Sequence, residues 1–251
     1  MSSRIVLITG ANSGVGFATA KVIASASGDN HVIMAGRSLE KVKSAKTEIE
    51  KAGIKGSLSA VQLDVTDEKS IEQAVKLVQE KHGRLDALVN NAGVGSMNID
   101  DIKTRLQLCM DTNVIGPAVV AAAFRPLLFK SSKPYSVYVS SGVGSLTMAA
   151  APTTPNSHHM PNEEAYRSSK TALNMIAVLE SKHFESQGLK VFAVCPGFVV
   201  SNLRGMSDEA RRGWGRAGDP QVSGKTILEI LQGERDADAG KFVHKDGVYP
   251  W

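Results

Sequence analysis

Cysteine is scarce in this chain, with 2 among 251 residues, Cys109 and Cys195. So sparse a pair excludes the disulfide framework of a small secreted scaffold and favours reduced, buried thiols in a reducing compartment. Aromatic residues are equally thin at 5%. No uninterrupted apolar run reaches the roughly 18 residues that a membrane span needs. The nearest stretch, Val114 to Phe129, contains Gly116, Pro117, Arg125 and Pro126 and reads as a buried helix. A basic run is missing as well: 29 Lys+Arg and 25 Asp+Glu are interspersed for a net charge of +4, so nothing points to nucleic acid. No charged leader precedes the strand-like run at Ile5. The end Val248-Tyr249-Pro250-Trp251 carries no prenylation box and no retention or peroxisomal tripeptide. The expectation is therefore no secretion signal, no membrane and a cytoplasmic location.

What is present is a chain 42% hydrophobic with 23 Gly, too apolar for disorder and far from a collagen pattern. Residues 1–251 are expected to form a single domain, since an α/β chain of this size buries a large core unaided. Short β-branched runs alternate with longer helical segments, and the runs are continuously apolar, the mark of a parallel sheet with helices on both faces. The strands are expected at Ile5 to Thr9, His31 to Ala35, Leu58 to Leu63, Ala87 to Asn90, Ser136 to Ser140, Lys190 to Val194 and Lys241 to Val243. Helices should start after Gly14 and Gly16, at the cap Ser38, and at Thr66 or Asp67. A long helix from about Ile102 to Lys130 should kink near Gly116-Pro117. Thr147 to Asn162, with three prolines and two histidines, is an irregular insertion.

Directly after the first strand comes Thr9-Gly10-Ala11-Asn12-Ser13-Gly14-Val15-Gly16. These glycines allow a tight turn and a close approach of backbone to a pyrophosphate at a helix N-terminus, although a plain tight turn would use glycine too. Their spacing is not that of the common dinucleotide fingerprint. It resembles the glycine motif of the short-chain dehydrogenase/reductase superfamily, and further pieces follow in that family's order: Asn90-Asn91-Ala92-Gly93, Asn113, Ser140-Ser141, Tyr166-Arg167-Ser168-Ser169-Lys170 and Pro196-Gly197. The resemblance runs from Arg4 to Trp251. It implies a Rossmann-type doubly wound α/β domain with a seven-stranded parallel sheet of order 3-2-1-4-5-6-7.

The resemblance also implies a nicotinamide cofactor held by Gly10, Ser13, Gly14, Val15 and Gly16, with Asn91, Ala92 and Gly93 beside the ribose. Asn90 reads as mainly structural. After the second strand, Ala35-Gly36-Arg37-Ser38 lacks the acidic residue that would bind an unmodified adenosine ribose. Arg37, with help from Ser38, can bond a 2′-phosphate, so NADP(H) is expected ahead of NADH; the alternative is a solvated loop arginine. Ser13 stands where many NADP-preferring relatives place a basic residue. Asp64-Val65 resembles the adenine-contacting pair, and Asp64 could equally cap the following helix. Pro196, Gly197, Val199 and Ser201 belong to the stretch that closes over the nicotinamide in the family.

Tyr166 and Lys170 share one helix face. A nearby ammonium is expected to lower the tyrosine pKa towards working pH, as a proton donor to an alkoxide requires. The resemblance gives Tyr166 that role, lets Lys170 also bind the nicotinamide ribose, makes Ser141 the residue that orients a substrate carbonyl with Ser140 as the fallback, and places Asn113 in a proton relay. The implied reaction is NADPH-dependent reduction of a ketone or aldehyde, or the reverse oxidation of an alcohol, on a small-molecule substrate without a metal. An alternative is a protein that binds NADP(H) on this fold as a sensor or scaffold and does no chemistry.

The insertion, an arginine after the second strand and the end Gly-Lys-Phe-Val…Trp251 are similar to the carbonyl reductases of this superfamily. There the insertion obstructs the usual helix pairing, whereas the apolar Val114 to Phe129 helix suggests a partner, so monomer and homo-oligomer both stay open. His158-His159 reads as loop surface, without the third ligand a metal site needs. Cys109 and Cys195 read as core, and Met148 and Met160 as core or substrate wall. Trp214, in the Gly205 to Gly218 segment over the expected active-site mouth, is the residue most suspected of touching substrate.

Overall fold

The computed structural model describes residues 3–152 and 162–251. Strands β1 (Arg4–Thr9), β2 (Asn30–Gly36), β3 (Ser57–Gln62), β4 (Ala87–Asn90), β5 (Tyr135–Val139), β6 (Lys190–Val194), β7 (Phe242–His244) and β8 (Gly247–Tyr249) make one sheet of order β3-β2-β1-β4-β5-β6-β7-β8. The first seven are parallel and lie in the expected order. The eighth exceeds the expectation of seven: it turns back antiparallel on β7 through Lys245-Asp246, too short to show an apolar run.

Side chains alternate across the sheet, and because both faces are covered, both sets are apolar. Val6 and Ile8 of β1 pack with Ile23 of helix α1 (Gly14–Ala26) and Ile49 of α2 (Leu39–Lys51). Ile5 and Leu7 face the opposite layer, with Ile71 of α3 (Glu68–His82). Local signals set the helix starts: Ser38 accepts from the Lys41 N–H, and Asp67 accepts from the N–H groups of Lys69 and Ser70. Asp67 rather than Asp64 is thus the cap of α3. Asp64 instead accepts from the N–H and hydroxyl of Thr66 at 3.0 and 2.8 Å.

The long helical segment divides into α4 (Ile102–Met110), a π turn at Asp111–Ile115, and α5 (Gly116–Leu128). The break therefore precedes Gly116-Pro117. Pro117 has no N–H to give the Asn113 carbonyl, which removes one rung of the α ladder at that place. Gly116 lets the same turn press on the third strand's exit, for a Cβ there would lie 2.8 Å from the Val65 carbonyl. Residues Ile102–Leu128 are long and apolar enough to cross a membrane by length and composition. Here Val120, Phe124 and Leu127 of α5 sit in the core under the sheet, while Ile115 is 53% exposed.

The remaining helices are α6 (Leu146–Ala150), α7 (Glu164–Phe184), α8 (Asp208–Arg211) and α9 (Gln221–Gln232). α6 replaces irregular chain at the start of the expected insertion, capped by Ser145, which accepts from the Met148 N–H. Thr147 donates from its N–H and its hydroxyl to the Trp251 carbonyl, tying that start to the last strand's exit. His158, His159 and Met160 lie outside the described residues.

At the far edge, the His31 ring lies 4.8 Å from that of His82, and its two nitrogens meet the hydroxyls of Ser57 and Ser59. Burial lowers the pKa of both from 6.5; the charge of His82 lowers His31 further, as Lys81 and Arg84 lower His82. The folded chain therefore takes up these protons less readily than the unfolded one. Their contribution to stability is complete above pH 6.5 and is lost as pH falls through the lowered folded values. The urea midpoint of His82→Gln is expected to fall less than that of the wild type between pH 7 and pH 5. An identical slope would remove this pair as its cause.

Candidate active site

The carboxyl ends of the parallel strands open into a cleft of about 920 Å³. Such a crevice forms where the strand order reverses, here between β1 and β4. Every residue expected to bind cofactor lines it except Gly16. Gly16 is buried behind the turn, where a Cβ would lie 2.6 Å from the Gly10 carbonyl, so the turn requires a glycine there. Gly10 and Gly14 have φ of +64° and +55°, which other residues adopt with strain. Ser13 precedes α1 without a side-chain cap bond, and with Gly14 and Val15 it brings the start of that helix to the cleft, where backbone N–H groups can receive an anion.

The turn is held from behind. Thr9 Oγ1 accepts from the N–H groups of Asn91 and Ala92, and the Asn91 amide donates to the carbonyls of Thr9 and Gly10. Asn91 is therefore a clamp between β1 and β4 as well as a lining residue. At the β2 end, Arg37 is exposed, and no described residue bonds its guanidinium; Ser38 and the ammonium-bearing Lys41 line the same corner. Lys41 was missed at sequence level because it reads as one of several lysines on a solvated helix face.

At the other end, Tyr166 on α7 and Ser141 at the end of β5 share the cleft, with the serine hydroxyl near enough to favour the phenolate. Ser140 points elsewhere: its hydroxyl is 2.6 Å from Asn174 Oδ1. Lys170 is 3% exposed, donates to the Val139 carbonyl at 2.8 Å and lies 5.6 Å from the centre of the Tyr166 ring. Burial pushes Tyr166 above its usual range, and the Ser141 hydroxyl opposes this only in part. The shift runs opposite to the expected lowering: desolvation of the phenolate is its largest cause, and Lys170, itself lowered by burial to about 8, carries no charge at the higher pH where this phenol ionises.

Asn113 does not line the cleft. It is fully buried in the π turn, with its Oδ1 accepting from the Val94 N–H and its Nδ2 donating to the Val94 carbonyl and Ser169 Oγ. It joins the β4 exit to α7 just behind Gly93 and Lys170. Cys195 has a comparable holding part, its sulfur accepting from the N–H groups of Gly142 and Gly197 at 3.1 and 3.4 Å. Burial raises both thiol pKa values, so neither is a ready nucleophile. A second missed residue is Glu180 of α7, 5% exposed, which accepts from Ser136, Tyr138 and Arg125 and anchors the helix carrying Tyr166 to β5 and α5.

Phe198 to Gly218 forms a loop closed at its base, where Val199 bridges Gly218, Val200 N–H donates to the Gly218 carbonyl and Gly218 N–H to the Phe198 carbonyl. Ser201 approaches the glycine turn: a Cβ on Gly14 would lie 3.6 Å from Ser201 Cβ. Trp214 does not line the cleft; it is 47% exposed and at φ +53°, its N–H held by Glu209. Phe198, Leu203, Arg204 and Met206 of this loop face the cleft instead. Met148 is exposed and outside it, and Met97 takes the place of a methionine wall.

This fold and cleft define a dinucleotide-binding oxidoreductase framework. Residues 4–212 match the family model for the short chain dehydrogenases. The chain belongs to that family, the short-chain dehydrogenase/reductase superfamily, whose fold binds a nicotinamide cofactor. It is 34% identical over 257 aligned residues to the short-chain dehydrogenase/reductase tropE of Talaromyces stipitatus, covering 97% of this chain and 96% of that one. It is 38% identical over 210 residues to the short-chain dehydrogenase anuI of Penicillium roqueforti, covering 82% of each. Among solved structures, the NADPH-bound carbonyl reductase from chicken fatty liver superposes with a TM-score of 0.80 at 28% identity, over 100% of both chains.

Proposed function

We propose that this protein is an NADP(H)-dependent reductase of ketones or aldehydes, with the reverse oxidation of alcohols as its other direction, working in the cytoplasm on a small-molecule substrate. The observation that carries this reading is the meeting of Ser141, Tyr166 and Lys170 in the cleft that also contains the glycine turn and the exposed Arg37. Bound NADPH would supply the hydride. Tyr166, kept neutral by burial, donates the proton that a reduced carbonyl oxygen requires, and the Ser141 hydroxyl bonds that oxygen and sets its direction. Lys170 would hold the nicotinamide ribose. Asn113 acts behind it, and its carbonyl, deprived by Pro117 of an α-helical donor, is an acceptor for a proton relay.

Arg37, Ser38 and Lys41 together would hold the 2′-phosphate, in charge-assisted bonds that a carboxylate would oppose. The loss of NADPH absorbance with a panel of aldehydes, quinones, aromatic ketones and steroids is the direct test, run beside Arg37→Asp. The variant is expected to raise KM for NADPH by about a hundredfold while changing KM for NADH far less. Equal effects on both cofactors would remove Arg37 from this assignment. Tight NADPH binding with no turnover on any substrate would favour a sensor.

A further inference from the structure

We propose that Arg204 is a specificity-determining residue that selects carbonyl substrates bearing an anionic oxygen group, such as a carboxylate, on an apolar body. This rests on the reductase reading and names the substrate class for that same cleft.

Arg204 ends the short turn Asn202–Arg204 in the loop over the cleft. Its Nε donates to the Ala210 carbonyl at 3.0 Å, and its Nη2 donates to the carbonyls of Val199 and Arg211 at 2.8 Å each. The guanidinium lies over the Phe198 ring, 4.4 Å from its centre. These contacts fix the group in one orientation, so little side-chain freedom remains to be lost on binding. They do not neutralise it. No carboxylate among the described residues pairs with Arg204, and Nη1 has no partner there.

The half-buried cation faces the cleft that Tyr166 lines, where burial disfavours its charge and the Tyr166 phenolate, when formed, would favour it. A partly desolvated cation held only by neutral carbonyls and a ring face gains most from a ligand that brings a counter-charge. Arg167, a second guanidinium lining the cleft, already has Glu163 at 3.0 Å. The cofactor's phosphates are an unsuitable source, because Ser201 is the part of this loop that meets the glycine turn, and Arg204 lies a further turn along the chain. Leu203, Phe198, Met206 and Met97 line the same cleft and give it apolar surface, which suits a hydrophobic body rather than a small hydroxy acid.

The test compares 3- and 4-acetylbenzoate with their methyl esters on the NADPH-saturated full chain, for the wild type, Arg204→Gln and Arg204→Lys. The wild type is expected to favour the better acid over its ester by about tenfold in kcat/KM, the Gln variant to lose that preference, and the Lys variant to keep part of it, with KM for NADPH unchanged. An equal loss on acid and ester would make Arg204 a clip of the loop only. A raised KM for NADPH with the substrate ratio intact would assign it to the cofactor. Either result overturns the proposal, as does a wild-type preference for the esters. If neither acid nor ester is reduced, the reductase reading suffers, and calorimetric binding of the acids to the NADPH-loaded protein still decides this one. Weakening by about tenfold in Arg204→Gln supports it, and equal binding overturns it.

Discussion

Tyr166→Phe is expected to bind NADPH like the wild type and to lose about a thousandfold in turnover. The ring remains, so packing in the cleft is kept, and only the hydroxyl that meets Ser141 is removed. Burial holds the Tyr166 phenol protonated well above neutral pH, which suits donation to a carbonyl oxygen. Reduction should accordingly hold its rate through neutral pH. Alcohol oxidation needs the phenolate, so its rate should climb with pH as the raised pKa is approached. Stopped-flow measurement of NADPH consumption in reduction and of NADPH formation in oxidation tests this. Unchanged turnover in Tyr166→Phe would transfer proton donation to another group, with Ser141 next in reach.

Lys170→Met should lose about a hundredfold in activity and yet melt higher than the wild type at pH 7, by about 4 °C. Lys170 is buried with no acidic partner among the described residues, and its ammonium donates to the Val139 carbonyl. Its pKa falls from 10.5 in the unfolded chain to about 8 when folded. Between these values the unfolded chain binds more protons, so wild-type stability rises as pH climbs through that interval. Below about 8 the whole penalty of the buried charge is present. Methionine fills the same space without the charge, at the loss of one bond to Val139, and its advantage should vanish as pH approaches 10. Thermal melts of both proteins across that range decide the matter: a variant less stable at pH 7, with the wild type's pH slope, would show that the buried ammonium costs the fold nothing. Function and stability are then opposed at this residue.

Much of the architecture was legible because its causes are local. Val6-Leu7-Ile8 can serve both sheet faces only if both are covered, and Ser38 and Asp67 announce helix starts through their own hydrogen bonds. Gly10 and Gly14 declare a turn because few other residues hold those dihedrals. Strand β8 was not legible, since Gly247–Tyr249 owes its pairing to β7 rather than to its own composition. The π turn was half legible: Pro117 announces a missing rung, but the press of Gly116 against Val65 comes from a distant strand end.

By itself, then, the sequence determined which residues can do chemistry and which segments present them, because glycine dihedrals, helix caps and the Tyr166–Lys170 face depend on neighbours in the chain. Only the tertiary structure decided what surrounds those groups. It separated Ser141 from Ser140, moved Gly16 and Asn113 behind the cleft, exposed Trp214 and brought Arg204 in its place. It also turned the shift of Tyr166 upward, because a pKa answers to all the water removed around a group, which chain spacing to Lys170 does not report.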